Sequence, residues 1–188
     1  MTGARPFVPR LVVQAPREAL AELTTWGRQW SEAGADGLAL EGAPADPAVL
    51  GLVAGLRAAS ALPLEVIPPP GTRLGPDTAE ALARAGADWV LPAQAPEGAT
   101  AAALEAAGVG WAWPLEAGTP PAACRRVHAA GGAGPGDWPA GPATAERSLV
   151  PPPGAVVGFG QSGADTLILP GAELAGADPA AALAEWRR

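Results

Sequence analysis

The sequence predicts an α/β chain folded as a (β/α)8 barrel, truncated or irregular around strands six to eight, with crossover helices six and seven missing or reduced. Three observations carry this reading. Strand-length apolar runs alternate with helix-length stretches through the first two-thirds of the chain. The tetrapeptide Ala33-Gly-Ala-Asp36 recurs at 85–88, and Gly-Ala-Asp again at 163–165, each time just before an apolar run. Finally, 188 residues at 48% hydrophobic content suit one domain, 1–188, with a sizeable core. An open doubly wound sheet is the alternative.

Taken in order, Phe7–Gln14 reads as strand one and Pro16–Ala33 as helix one, with Leu20, Leu23, Trp26 and Trp30 on one face. Strand two is Gly37–Leu40, and helix two is Pro47–Ser60. Strand three is Leu62–Ile67, and helix three is Pro76–Ala85. Strand four is Trp89–Leu91, and helix four is Ala99–Ala107. Strand five is Val109–Leu115, and Pro120–Ala130 reads as helix five. In each repeat a glycine closes the helix and an aspartate turns the chain into the strand. After Ala130 the rhythm fails. Asp137-Trp138 is read as the vestige of strand six, with Ala155–Phe159 and Thr166–Leu169 as strands seven and eight. Asp178 caps a last helix, Pro179–Trp186, with proline in its first turn.

Composition narrows the function. The formal charge is -7, and the 12 basic residues are all arginine. Such a balance disfavours nucleic acid and anionic membranes as partners. One cysteine, Cys124, excludes an internal disulfide, and a single histidine, His128, cannot build an ordinary zinc site. No run reaches membrane-spanning length and the first residues lack a signal-type apolar core, so a cytoplasmic location is expected.

Several segments, in order, resemble the tryptophan synthase alpha chain. Phe7-Val-Pro-Arg-Leu-Val-Val, Ala33-Gly-Ala-Asp36 and Glu41-Gly-Ala-Pro-Ala-Asp-Pro47 are similar to its opening strand, second strand and following loop. Gly86-Ala-Asp-Trp-Val-Leu-Pro92, Thr119-Pro-Pro-Ala-Ala-Cys-Arg-Arg-Val127 and Val156-Val-Gly-Phe-Gly-Gln-Ser162 resemble later segments. Ribulose-phosphate 3-epimerase, another phosphate-binding barrel, is the second relative, through Leu115-Glu-Ala-Gly-Thr-Pro120 and residues 163–179. The resemblance implies cleavage of indole-3-glycerol phosphate to indole and glyceraldehyde 3-phosphate in tryptophan biosynthesis. It also implies two acid–base carboxylates, no cofactor or metal, and docking to a beta chain. The epimerase's two-His, two-Asp metal set has no counterpart here.

Carried over residue by residue, the family's catalytic Glu falls on Leu40 or Ala39, according to which motif is aligned; Glu41, one residue beyond Leu40, is the candidate, on the strand parity that faces the barrel together with Ala39. Asp46 sits in the shortened loop where the family's second carboxylate is lost, and its simplest reading is a turn residue before Pro47. Glu65 shares the inward parity of Ile67 and is a possible partner for Glu41. The phosphate-binding candidates are Gly158, Gly160 and Ser162 near strand seven, with Gly171 and Ala172 after strand eight; Gly134–Gly136 or Gly141 could replace the loop after strand six. Pro170 has no N–H to give. Trp111 and Trp113 either fill the space of the absent helices or line a pocket with Ala39 and Ile67. His128 reads as a helix or surface residue. The expectation is an alpha-chain-like barrel with impaired or lost lyase activity that keeps phosphate-ester or beta-chain binding. The alternatives are a shortened lyase using Glu41, and a non-catalytic structural or interaction subunit that pairs with a beta chain or with itself.

Overall fold

The computed structural model describes residues 8–122, 124–131, 133–139, 145–155, 157–174, 176 and 178–187. Phe7, Gly141 and Val156, named in the readings above, lie outside them. The strands are β1 (Arg10–Gln14), β2 (Gly37–Glu41), β3 (Leu64–Ile67), β4 (Trp89–Val90), β5 (Gly110–Trp111), β6 (Trp113–Pro114), β7 (Arg126–Ala130), β8 (Glu146–Val150) and β9 (Thr166–Leu169). The helices are α1 (Leu23–Glu32), α2 (Pro47–Ala59), α3 (Pro76–Ala85), α4 (Gly98–Ala106), α5 (Phe159–Ser162) and α6 (Pro179–Trp186). A 3-10 segment, Arg17–Glu22, precedes α1, so the first predicted helix starts in a tighter coil.

All pairings are parallel, in the order β5-β4-β3-β2-β1-β9-β8-β7-β6. β5 and β6 are two halves of one strand, parted only by Ala112, whose N–H still bonds Val90 O at 3.1 Å. β5 pairs with β4 and β6 with β7, and this double use closes the barrel. Following in-register partners round the circuit advances two residues along β1 (Arg10 to Val12), two along β2 (Gly37 to Ala39) and four from Gly110 to Pro114 before returning to Arg10. That stagger of eight is the shear of a (β/α)8 barrel.

The recurring Gly-Ala-Asp is a strand clamp. Gly34, Gly86 and Gly163 sit at φ 95, 89 and 66, where a side chain would be strained. The aspartate that follows exchanges two bonds with the neighbouring strand. Asp36 N–H bonds Leu11 O at 2.8 Å, and Leu11 N–H returns to Asp36 Oδ2 at 2.8 Å. Asp88 does the same with Leu64, and Asp165 with Arg147. These pairs tie the barrel at its N-terminal end, the end that reads as stability.

The second half of the chain corrects the sequence reading. Pro120–Ala130 is not a helix: Arg-Val-His-Ala alternates with the period of a strand, and Arg126–Ala130 is the sixth strand, with Val127 and Ala129 outward and Arg126 and His128 inward. Asp137-Trp138 is therefore not that strand. The seventh strand is Glu146–Val150 rather than Ala155–Phe159, and Phe159–Ser162 is one helical turn. Among the described residues the helix deficit starts at crossover five, where only the 3-10 turn Leu115–Ala117 is found, and crossover seven keeps α5 alone. Tryptophans fill the space. Trp111 and Trp113 pack outward, with ring centroids 6.4 Å apart. Trp138 is 6% exposed, and its Nε1 donates to Ser162 O at 2.7 Å.

Register places the inward side chains in layers of four from alternate strands. Above Arg10, Gly110 and Glu146, one layer holds Gly37, Trp89, Arg126 and Thr166; next come Val12, Glu65, Ala112 and Ser148, then Ala39, Leu91, His128 and Ile168. The floor is ionic. Arg126, 0% exposed, donates from Nη1 to Glu65 at 2.7 Å and from Nη2 to both oxygens of Glu146 at 3.1 Å. Arg10 Nη1 and Thr166 Oγ1 also reach Glu146. The Trp89 ring lies 4.0 Å from the Arg126 guanidinium carbon. Gly110 makes room for it, since a Cβ there would stand 2.6 Å from the indole.

Arg126→Leu strands two buried carboxylates and should lower unfolding free energy by about 3–5 kcal/mol, read from urea midpoints; replacing Arg126, Glu65 and Glu146 together with apolar residues should recover most of that loss. Trp138→Ala should cost about 3–5 kcal/mol by the same measurement.

Candidate functional site

The C-terminal ends of the strands form the mouth, where a barrel of this kind carries its chemistry. Glu41, the last residue of β2, is exposed there, and its Oε2 accepts from Gln14 Nε2 at 3.4 Å. Beside it is a cavity of 310 Å³ lined by Gln14, Ala15, Pro16, Leu20, Leu40, Glu41, Gly42, Pro69, Pro170 and Gly171. Ala39 is fully buried in the layer below, and Ile67 packs on that layer from above.

The other carboxylates are engaged elsewhere. Glu65 is 1% exposed, pairs with Ala39 in register rather than with Glu41, and is neutralised by Arg126. Asp46 is the N-cap of α2, accepting from Ala48 N–H at 2.9 Å. That is the turn role its place before Pro47 favoured. Trp111 and Trp113 face away from the mouth, and Trp113 Nε1 donates to Gly118 O at 3.1 Å.

The phosphate candidates are divided between the two ends of the barrel. Gly158 and Gly160 line a 930 Å³ groove with Pro9, just before β1, and Trp186, at the end of α6. That is the N-terminal end. Gly158 N–H is held by Gln161 Oε1 at 3.3 Å, and the Ser162 hydroxyl bonds Gly158 O at 3.2 Å. Gly171 lies at the mouth, where a Cβ would stand 2.0 Å from Gln14 O, so close approach to β1 demands glycine. Ala172 follows in the 3-10 turn Gly171–Glu173. Glu173 Oε1 accepts the N–H of Gly154, joining the loop after β8 to the turn after β9. A carboxylate of the chain thus occupies the position between the seventh and eighth strand loops where barrels of this fold often hold phosphate. Gly134 N–H is likewise taken, by Asp137.

The rim is also poor in donors. Every strand end except that of β7 meets proline within three residues: Pro16, Pro44, Pro68, Pro92, Pro114, Pro151 and Pro170. Each keeps a carbonyl and lacks an N–H.

Sequence reasoning missed His128. It is an inward residue of β7, 6% exposed, one layer below the mouth on the strand opposite β2, with Nδ1 3.2 Å from Ser148 Oγ. Burial, followed by repulsion from the Arg126 charge, holds its pKa down at about 3. It is therefore a neutral hydrogen-bonding group at neutral pH, too weak a base for efficient proton abstraction there. The strand alternation Arg-Val-His-Ala was the available signal. Burial pushes the Cys124 thiol up, away from nucleophilic use. Among the described residues no three His, Cys, Asp or Glu side chains converge on a metal position.

No family model and no curated protein matches this sequence. Solved structures do match its fold. A tryptophan synthase structure from M. tuberculosis has TM-score 0.63 at 18% identity, over 95% of this chain and 91% of that one. The tryptophan synthase alpha-subunit of Pyrococcus furiosus has TM-score 0.58 at 12% identity, over 96% and 97%. A structure described as native KDPGal has TM-score 0.59 at 15% identity, over 94% and 93%. The fold is that of the tryptophan synthase alpha chain and related barrels; at these identities the likeness is one of fold.

His128 is the single histidine, and its depressed pKa gives a signed prediction. Its contribution to stability is complete above the unfolded value of about 6.5 and is lost as pH falls toward the folded value. Between pH 6.5 and 5, above most carboxylate titration, urea-measured stability should fall with a slope approaching about 1.4 kcal/mol per pH unit. His128→Gln should flatten that segment.

Proposed function

We propose that this chain is a barrel of the tryptophan synthase alpha kind that has lost the lyase reaction. The observation that carries the reading is the Arg126–Glu65 ion pair at 2.7 Å, which leaves Glu41 as the one candidate carboxylate free at the mouth. Cleavage of indole-3-glycerol phosphate needs a proton given at one position and taken at another, and one carboxylate, with a weakly basic imidazole buried below it on the opposite strand, does not supply both. The Glu173–Gly154 contact and the proline rim argue against retained phosphate-ester binding.

Docking to a beta-type chain or to a second copy, without catalysis, belongs to the same reading. Its support is the shared fold rather than an apolar patch: Val8 is the single large hydrophobic residue exposed among the described residues, and the face without helices is covered by Trp111, Trp113 and Trp138. No described helix is long and apolar enough to cross a membrane, and a cytoplasmic location completes the proposal.

The test is indole release from indole-3-glycerol phosphate by the purified chain, with Glu41→Gln beside it. Both proteins should give the background rate. Turnover that vanishes in Glu41→Gln would establish the shortened-lyase reading instead, which the mouth-facing position of Glu41 favours.

A further inference from the structure

We infer that the mouth cavity binds a small organic cation, an ammonium group carried on a compact apolar body. This deepens the reading above, which leaves the cavity without a ligand. The 310 Å³ space has one charged lining residue, Glu41. Gln14 holds Glu41 Oε2, and no described group bonds Oε1, so the carboxylate is oriented with an oxygen available to a ligand.

The backbone around it has little to offer an anion. Pro16, Pro69 and Pro170 have no N–H. The Ala15 N–H is spent on Ala39 O at 2.8 Å, and the Gly42 N–H on Ile67 O at 3.0 Å. What converges is a carboxylate and the amide that holds it, and the formal charge of -7 adds to the same field. The Gly171 N–H and the second Gln14 Nε2 hydrogen are the donors left for an anion, which would meet the Glu41 charge beside them, whereas an ammonium brings three donors and no acceptor to that carboxylate. Leu20, Leu40 and the proline rings supply walls for an apolar body, and the volume lies at the lower end of small-ligand sites.

Calorimetric titration at low ionic strength tests this with phenethylammonium, the neutral phenethyl alcohol, the anionic phenylacetate and inorganic phosphate. Phenethylammonium should bind at least tenfold more tightly than the alcohol, weaken as salt is added, and fall to the alcohol's level in Glu41→Gln. Phenylacetate and phosphate should give no saturable heat. Because Glu41 is exposed, the variant should keep its melting temperature, which is measured alongside. Equal binding of ammonium and alcohol, tighter binding of either anion, no saturable binding of phenethylammonium, or affinity unchanged in Glu41→Gln would each overturn the inference. Indole release is scored separately, so a lyase-active chain that ignores ammonium fails both readings, while an inactive chain that ignores it fails this one alone.

Discussion

Arg126 sets the interior of this barrel. A guanidinium with no exposed surface must be neutralised and hydrogen-bonded within the fold. Glu146 does this from the neighbouring strand and Glu65 from across the barrel, and Trp89 closes one face. The partners of that group are accommodated by glycines. Gly110 is empty where the Trp89 ring lies, and Gly37 leaves room for Val12, where a Cβ would stand 3.0 Å away. The arrangement is specific rather than generously stabilising, because Arg126 Nε and Glu65 Oε2 are buried without a partner among the described residues. The floor also determines the mouth. By taking Glu65 it removes the second carboxylate, and by placing positive charge beneath His128 it helps keep that imidazole neutral.

A barrel short of crossover helices must still cover the outer face of its strands. Here three tryptophans do so with few residues. Trp111 and Trp113 alternate outward along the split fifth strand, and Trp138 is pinned by its bond to Ser162 O. Covering the gap from within the chain leaves no need for another subunit to bury it. This is why the missing helices and the absence of a large exposed apolar patch among the described residues are compatible.

The first four strand–helix units and the last strand were legible because their signals are local: glycine at positive φ, aspartate at a strand entry, and an apolar helix face. The sixth and seventh strands were hidden by their own chemistry. Arg126-Val-His-Ala-Ala and Glu146-Arg-Ser-Leu-Val put charge toward the axis, whereas parallel strands buried on both faces normally read as continuous apolar runs. The clue was the two-residue alternation of Arg126-Val-His-Ala, which has a strand's period rather than a helix's. Glu41 was placed on the correct side by parity alone. Glu65 was too, but its depth in the barrel depends on the stagger, a property of the closed sheet that no single strand reveals. Gly158 and Gly160 were drawn to the wrong end of the barrel by the misassigned seventh strand.

The acidic composition gains meaning from where the carboxylates are spent. Asp46 and Asp178 cap helix N-termini beneath first-turn prolines, Glu173 holds Gly154, Asp137 holds Gly134, and Asp36, Asp88 and Asp165 clamp strand entries. Asp46 and Asp178 take helix N-terminal N–H groups of the kind that can hold an external anion, and the three clamps take theirs at the opposite, N-terminal end of the barrel. The chain has in effect bound its own anions, and its prolines removed further donors from the rim. A phosphate-binding barrel works by leaving such donors free and converging them on one point. Once they are satisfied internally, the field at the mouth is set by what is left over, and that is the carboxylate of Glu41. A change of ligand charge therefore requires no change of fold, only the transfer of backbone donors from ligand to side chain.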